Sequence, residues 1–309
     1  MRALIAILFA GLAAAQAPAP KTTAPVAPAP PAPLTYVGSE ACQVCHEDIS
    51  KAFAKNPHNA VEKDKKRGWE GRSCESCHGP ASNHVENPSA ETIRNPVKLP
   101  VAEADAGCLG CHRNQPTHVG RIQSGHARNQ VSCVACHTVH KSAEELVPRR
   151  RAAVNAACST CHLAERASFQ RPHKHKLPEG AMSCIDCHNP HGSILPHSMQ
   201  TATANEPGCL NCHGDKRGPF VFEHAPVHLE GCAACHEPHG SANPRMLKRQ
   251  QVSLLCLECH SNMPATALAS GTLGGIPPAF HDLRNPRFQN CTNCHVKIHG
   301  SNVSRELLR

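Results

Sequence analysis

Ten times in this chain a cysteine is followed three residues later by a second cysteine and then at once by a histidine. The motifs are Cys42, Cys45 and His46; Cys74, Cys77 and His78; Cys108, Cys111 and His112; Cys133, Cys136 and His137; Cys158, Cys161 and His162; Cys184, Cys187 and His188; Cys209, Cys212 and His213; Cys232, Cys235 and His236; Cys256, Cys259 and His260; and Cys291, Cys294 and His295. Cys-x-x-Cys-His is the attachment signature of c-type haem. The two thiols add to the two vinyl groups of one porphyrin, and the adjacent imidazole binds the iron from one face. A zinc ribbon, a redox dithiol or a disulfide scaffold could account for one such motif. None accounts for a histidine after every pair, with all 20 cysteines used and no thiol left over. The cofactor expected is ten covalently bound haem c groups.

A second set of histidines completes the coordination. Two motif types alternate along the chain. The first type, starting at Cys42, Cys108, Cys158, Cys209 and Cys256, has no histidine close behind it. The second type, starting at Cys74, Cys133, Cys184, Cys232 and Cys291, has one histidine upstream and another shortly downstream. The array therefore reads as five two-haem units. The upstream set is His58, His126, His175, His224 and His281, and the downstream set is His84, His140, His191, His239 and His299. Together they supply ten distal ligands for ten irons. His191 follows His188 by only three residues, too short a chain to round the porphyrin attached there, so it must reach a neighbouring iron. His118, His173, His197 and His228 are left over; repeat spacing favours His175 over His173 and His224 over His228. Methionine, the rival axial ligand, has no repeating relation to the motifs at Met182, Met199, Met246 or Met263. Ten low-spin bis-histidine haems of low potential are expected.

The elements that hold these residues must be small. Aromatic residues are 3% of the chain, and 27 prolines and 20 glycines break up regular structure. Side chains alone cannot fill a core for 309 residues, so the porphyrins must supply apolar surface. The expected fold is a multihaem cytochrome c: few short α-helices and much irregular coil wrapped around a row of haems, essentially no β-sheet, elongated. Helices are expected over 61–71, 143–157 and 163–170 and at the turn of each motif. The stretch 261–290, rich in glycine and proline, reads as a loop. Residues 1–17 read as a secretory signal peptide, 18–35 as a Pro/Ala-rich tether in polyproline II, and 36–309 as the cytochrome domain.

The formal charge of +8 does not point to nucleic acid. Two propionates per haem bring the total to about −2 oxidised and about −12 reduced. Lys63, Lys65, Lys66 and Arg67, then 149–151, then Lys248 and Arg249, are basic clusters that would pair with propionates or dock an acidic partner. A multihaem reductase would need an iron with an open position, often with lysine replacing a motif histidine. All ten motifs here end in histidine, so the expectation is an electron carrier, with a soluble periplasmic shuttle or filament subunit as alternatives.

Longer stretches carry a resemblance. They include Val37-Gly-Ser-Glu-Ala-Cys42, Cys74-Glu-Ser-Cys-His-Gly-Pro80, Glu165-Arg-Ala-Ser-Phe169, Glu179-Gly-Ala-Met-Ser-Cys-Ile-Asp-Cys-His-Asn-Pro-His-Gly192, His224-Ala-Pro-Val227, Cys235-His-Glu-Pro-His-Gly-Ser241 and Ile298-His-Gly-Ser-Asn302. Over about 270 positions the chain resembles the periplasmic decahaem cytochromes of the MtrA/DmsE type. The Pro/Ala tether is a departure from that pattern. The resemblance implies a periplasmic protein seated inside an outer-membrane β-barrel porin. Its implied partners are that porin, a periplasmic or inner-membrane cytochrome donor, and an outer-surface multihaem cytochrome or terminal reductase.

Overall fold

A computed structural model describes residues 33–142, 151–203, 206–260 and 286–308. The signal and tether expectations, most of the 261–290 loop, and His281 lie outside the described residues. The chain divides into Met1–Leu34 and a unit from Thr35 to Arg309, and every described site residue belongs to the second.

Each motif is one helical turn. In nine of the ten, the histidine N–H donates to the carbonyl of the first cysteine, at 2.8 to 3.0 Å. The tenth closes the helix Val101–His112. Residues i, i+3 and i+4 of such a turn share one face, so both thiols and the imidazole point the same way. Around these turns the chain forms short helices, among them Ser39–Gln43, Glu47–Ala54, Arg151–Ser159, Leu163–Ser168 and Val252–Leu257. Val101–His112 was not anticipated. Its alanines and leucine favour a helix, but Gly107 and Gly110 hide the signal. The expected helix over 61–71 is corrected. A 3-10 helix runs over Pro57–Lys63 instead, started by the Asn56 cap and Pro57, and Gly68 and Gly71 at positive φ end any continuation. Of the helix expected over 143–157, the described part is Arg151–Ser159.

No sheet forms among the described residues; five isolated bridges stand in its place, two of them His173 with Ser241 and Phe222 with Ser301. Buried apolar side chains are few: Ala81, Ala104, Val154 and Leu177. Polar groups do the positioning. The Asn155 amide donates to the Leu177 and Met182 carbonyls at 3.1 and 3.0 Å, and its oxygen accepts the Cys184 N–H at 2.9 Å. Asp105 does the same work one unit earlier, accepting from Ser132 Oγ and the Cys133 N–H while paired with Arg121. Glu62 accepts from Ser39 Oγ at 2.8 Å and the Ser73 N–H at 3.1 Å. Ser39, Asp105 and Asn155 each stand three residues before a first-type cysteine. Each helps fix the start of the second-type motif of its own unit.

Candidate functional site: paired imidazoles along the array

Nine motif histidines each face one histidine of the two distal sets. The ring pairs are His46 with His84, His78 with His140, His112 with His58, His137 with His191, His162 with His126, His188 with His239, His213 with His175, His236 with His299 and His260 with His224. Their centres lie 5.8 to 6.3 Å apart. Of the two histidines left, His295 is described and His281 lies outside the described residues.

That separation fits one iron. A metal–imidazole bond of roughly 2.0 Å on each side, with about 1.1 Å from nitrogen to ring centre, sets the two centres about 6.2 Å apart. No group of three or more His, Cys, Asp or Glu side chains converges among the described residues, as a structural zinc would require. Burial lowers the pKa of His58, His140, His224, His239, His260 and His299 below the ordinary value. It takes His191 down to about 4, with His118 and His137 adding to the effect. These rings are therefore neutral near pH 7, the form that binds a metal.

Hydrogen bonds fix which nitrogen is free. The Nδ1–H groups of His78, His188, His236 and His295 donate to the carbonyls of Arg94, His197, Arg245 and Glu306, at 2.6 to 2.9 Å. Those of His126 and His175 donate to the carbonyls of Pro190 and Pro238, at 2.9 and 2.8 Å. That of His84 donates to the Ser89 carbonyl at 3.0 Å. In each case Nε2 is left for iron. His58 and His126 sit at capped helix starts, behind Asn56 and Ser124.

The pairing crosses unit boundaries by a rule. In units one to four the upstream histidine faces the first-type motif of the next unit: His58 to His112, His126 to His162, His175 to His213, His224 to His260. Each unit's downstream histidine faces the second-type motif of the previous unit: His140 to His78, His191 to His137, His239 to His188, His299 to His236. Every junction is thus a reciprocal clasp. Unit one has no predecessor, and its downstream His84, carried on the helix Ser82–Glu86, folds back to its own His46.

Three glycines let the clasp close. Gly192, Gly240 and Gly300, each just after a downstream histidine, are buried and have φ of 100°, 137° and 142°. A Cβ there would collide with Gly120, the Ser168 carbonyl and the Phe220 ring of the preceding unit. The repeated His-Gly-Ser was visible in the sequence; its reason was not. Ser241 and Ser301 follow, bridging to His173 and Phe222.

The thiols run in chain order. Within units, the thiol of Cys42 lies close enough to that of Cys74 to interact with it, as do those of Cys108 and Cys133, Cys158 and Cys184, Cys209 and Cys232, and Cys256 and Cys291, all of them free thiols. The hydrogen bond from the partner thiol takes Cys74, Cys158 and Cys232 down to about 6. Between units, Cys77 lies within electrostatic reach of Cys108, Cys136 of Cys158, Cys187 of Cys212 and Cys235 of Cys259.

The leftover histidines have other surroundings. His118 packs edge-on against His191 at 4.4 Å, His228 lies 3.5 Å from Glu223, and His173 and His197 act through their backbones. The basic clusters are partly neutralised. Arg67 pairs with Asp64, Lys65 with Glu70, Arg151 with Asp186 and Arg249 with Glu258.

Known sequences share these motifs. A family model described as "Doubled CXXCH motif" matches residues 175–218 and 224–265, each match beginning on an upstream histidine, and one described as "Cytochrome c-type protein NrfB-like" matches 74–150. The chain is also 33% identical over 269 residues to the multihaem cytochrome MtrA of Shewanella baltica, covering 86% of this chain and 79% of that one. With likeness of that extent beside motifs that attach haem c covalently, the chain belongs to the MtrA-type multihaem c-type cytochromes, which are electron-transfer proteins.

Proposed function

We propose that the chain holds ten haem c groups, one per motif, and relays electrons along them between the periplasm and an extracellular partner, through an outer-membrane porin. The carrying observation is the set of nine imidazole pairs at iron-spanning separation, eight of them joining consecutive units. His46, His78, His112, His137, His162, His188, His213, His236, His260 and His295 are the proximal ligands. Their distal partners in the same order are His84, His140, His58, His191, His126, His239, His175, His299, His224 and His281. The iron of bound haem c supplies a one-electron couple, and its potential is set largely by the axial ligands. The chain would supply an oriented imidazole on each face of the iron, leaving no open position for a substrate.

Chain-ordered thiol contacts support a row in motif order, and tunnelling, which decays exponentially with gap, needs such a row. Ten porphyrins of about 10 Å reach on the order of 100 Å, against a hydrocarbon layer of about 30 Å. No described helix is long and apolar enough to cross a membrane. The proposal assigns the lipid-facing wall to the porin and export to residues 1–17, with 18–35 as the tether and 36–309 as the haem-bearing domain. The porin and the surface partner rest on the family resemblance.

The test is reconstitution of the purified cytochrome with the porin from its own host in dye-loaded liposomes. External reductant is expected to bleach the internal dye only when both are present. An intact complex that transfers nothing contradicts the conduit reading.

A further inference from the structure

Four second-type motif histidines face a downstream histidine of the next unit, and three of those ring pairs are nearly parallel. His78 and His140 differ by 10°, His137 and His191 by 15°, His236 and His299 by 13°. His188 and His239 differ by 51°. The loops carrying the last three downstream rings are alike, each His-Gly-Ser with the glycine buried at positive φ. The difference lies in what touches the ring.

Phe169 packs against His239 with centres 5.2 Å apart and planes at 45°. Its place is fixed from both sides. It caps the helix Leu163–Ser168, its N–H donating to the Glu165 carbonyl at 3.1 Å. The preceding Ser168 carbonyl abuts Gly240. Arg171 ties the same loop down through the Gly240 carbonyl at 2.8 Å and Glu237 at 2.9 Å. Ser168 thus meets Gly240 while Phe169 meets His239, and the imidazole has little freedom to swing back. His191 also has a neighbour, His118, but that ring stands edge-on at 62° and leaves His191 near parallel to His137.

We propose that Phe169 is a positioning residue that turns the His239 ring out of the plane of His188, giving the haem of the Cys184–Cys187 motif a tilted ligand pair unlike the other described second-type haems. This rests on the reading that both rings bind one iron. The consequence is electronic. Each imidazole raises the iron d orbital lying along its ring normal. Parallel rings act on the same orbital and split the d pair widely, which gives a three-line rhombic ferric signal. Tilted rings act on both orbitals and leave the pair close, which gives one feature at large g.

The experiment is quantitative EPR with near-infrared magnetic circular dichroism on the oxidised full-length holoprotein, at haem content equal to wild type. Phe169→Leu is expected to move one haem's intensity from the large-g class to the rhombic class, and Phe169→Tyr, which keeps the ring, to leave the spectrum as in wild type. Unchanged populations in Phe169→Leu overturn the proposal. His239→Met separates that failure from failure of the ligand reading. Loss of one haem's intensity from the large-g class with a new His–Met charge-transfer band supports the proposal. Loss from the rhombic class overturns the tilt alone. Retention of every bis-histidine signal overturns the ligand reading and the proposal with it.

Discussion

His126 does two things across a unit boundary. Its ring faces His162, and its Nδ1–H holds the Pro190 carbonyl next to His191. His126→Ala is expected to leave one ferric haem high-spin, that of the Cys158–Cys161 motif, and to remove a hydrogen bond worth about 0.5–1.5 kcal/mol. Magnetic circular dichroism reads the first effect and chemical denaturation the second. A wholly low-spin spectrum contradicts the assignment. Gly240 tests the clasp without touching a ligand. Its φ of 137° and its contact with the Ser168 carbonyl mean that Gly240→Ala costs about 1–3 kcal/mol. Gly214, with open space around it, serves as the control: Gly214→Ala is expected to stay within about 0.5 kcal/mol of wild type in the same denaturation. At this scale the sequence was informative about identity. Cysteine and histidine spacing named the candidate residues, and repeat spacing chose His175 over His173 and His224 over His228. The structure places those two chosen rings opposite His213 and His260. Phe169 and His118 were not legible, because they act through space and carry no repeating offset from a motif. The accepting carbonyls do recur, His197 and Arg245 nine residues after a motif histidine and Pro190 and Pro238 two, but a backbone carbonyl leaves no mark in residue type.

The two-motif unit is the building element, but it is not self-sufficient. Each internal unit sends one histidine forward and one back, so its own motifs depend on both neighbours, as repeats in a solenoid depend on stacking. The alternation of motif types in the sequence marked the units. The direction of each exchange was not readable, since it depends on how turns such as Pro238–Ser241 lie against the preceding unit. The expectation of a helix over 61–71 failed for a local reason, two glycines at positive φ and an earlier cap at Asn56. A chain ending at Gln251 tests the exchange rule. It keeps eight motifs but loses His299, so one of its eight haems, on His236, is expected to be high-spin and the other seven low-spin. Two or more high-spin haems, or none, would contradict the rule; EPR spin quantitation decides.

Over the whole molecule, four buried apolar side chains among the described residues are far too few to hold a chain of this length. Composition foretold that shortage, and coil between short helical turns is its result. On the proposed reading, the unit from Thr35 to Arg309 is held by the series of four clasps and the haems they would enclose, so architecture and electron path are one arrangement. With the ten haems proposed, the propionates would offset the formal charge of +8 and turn the loaded protein acidic by about 2 charges when oxidised and about 12 when reduced. Anomalous diffraction from the haem-loaded protein at the iron absorption edge tests the central claim most directly. The account expects ten iron sites in motif order, each between the two imidazoles paired here, with His140 on the iron of His78 and His58 on that of His112. Fewer sites, or an iron between histidines of two other pairs, would contradict it.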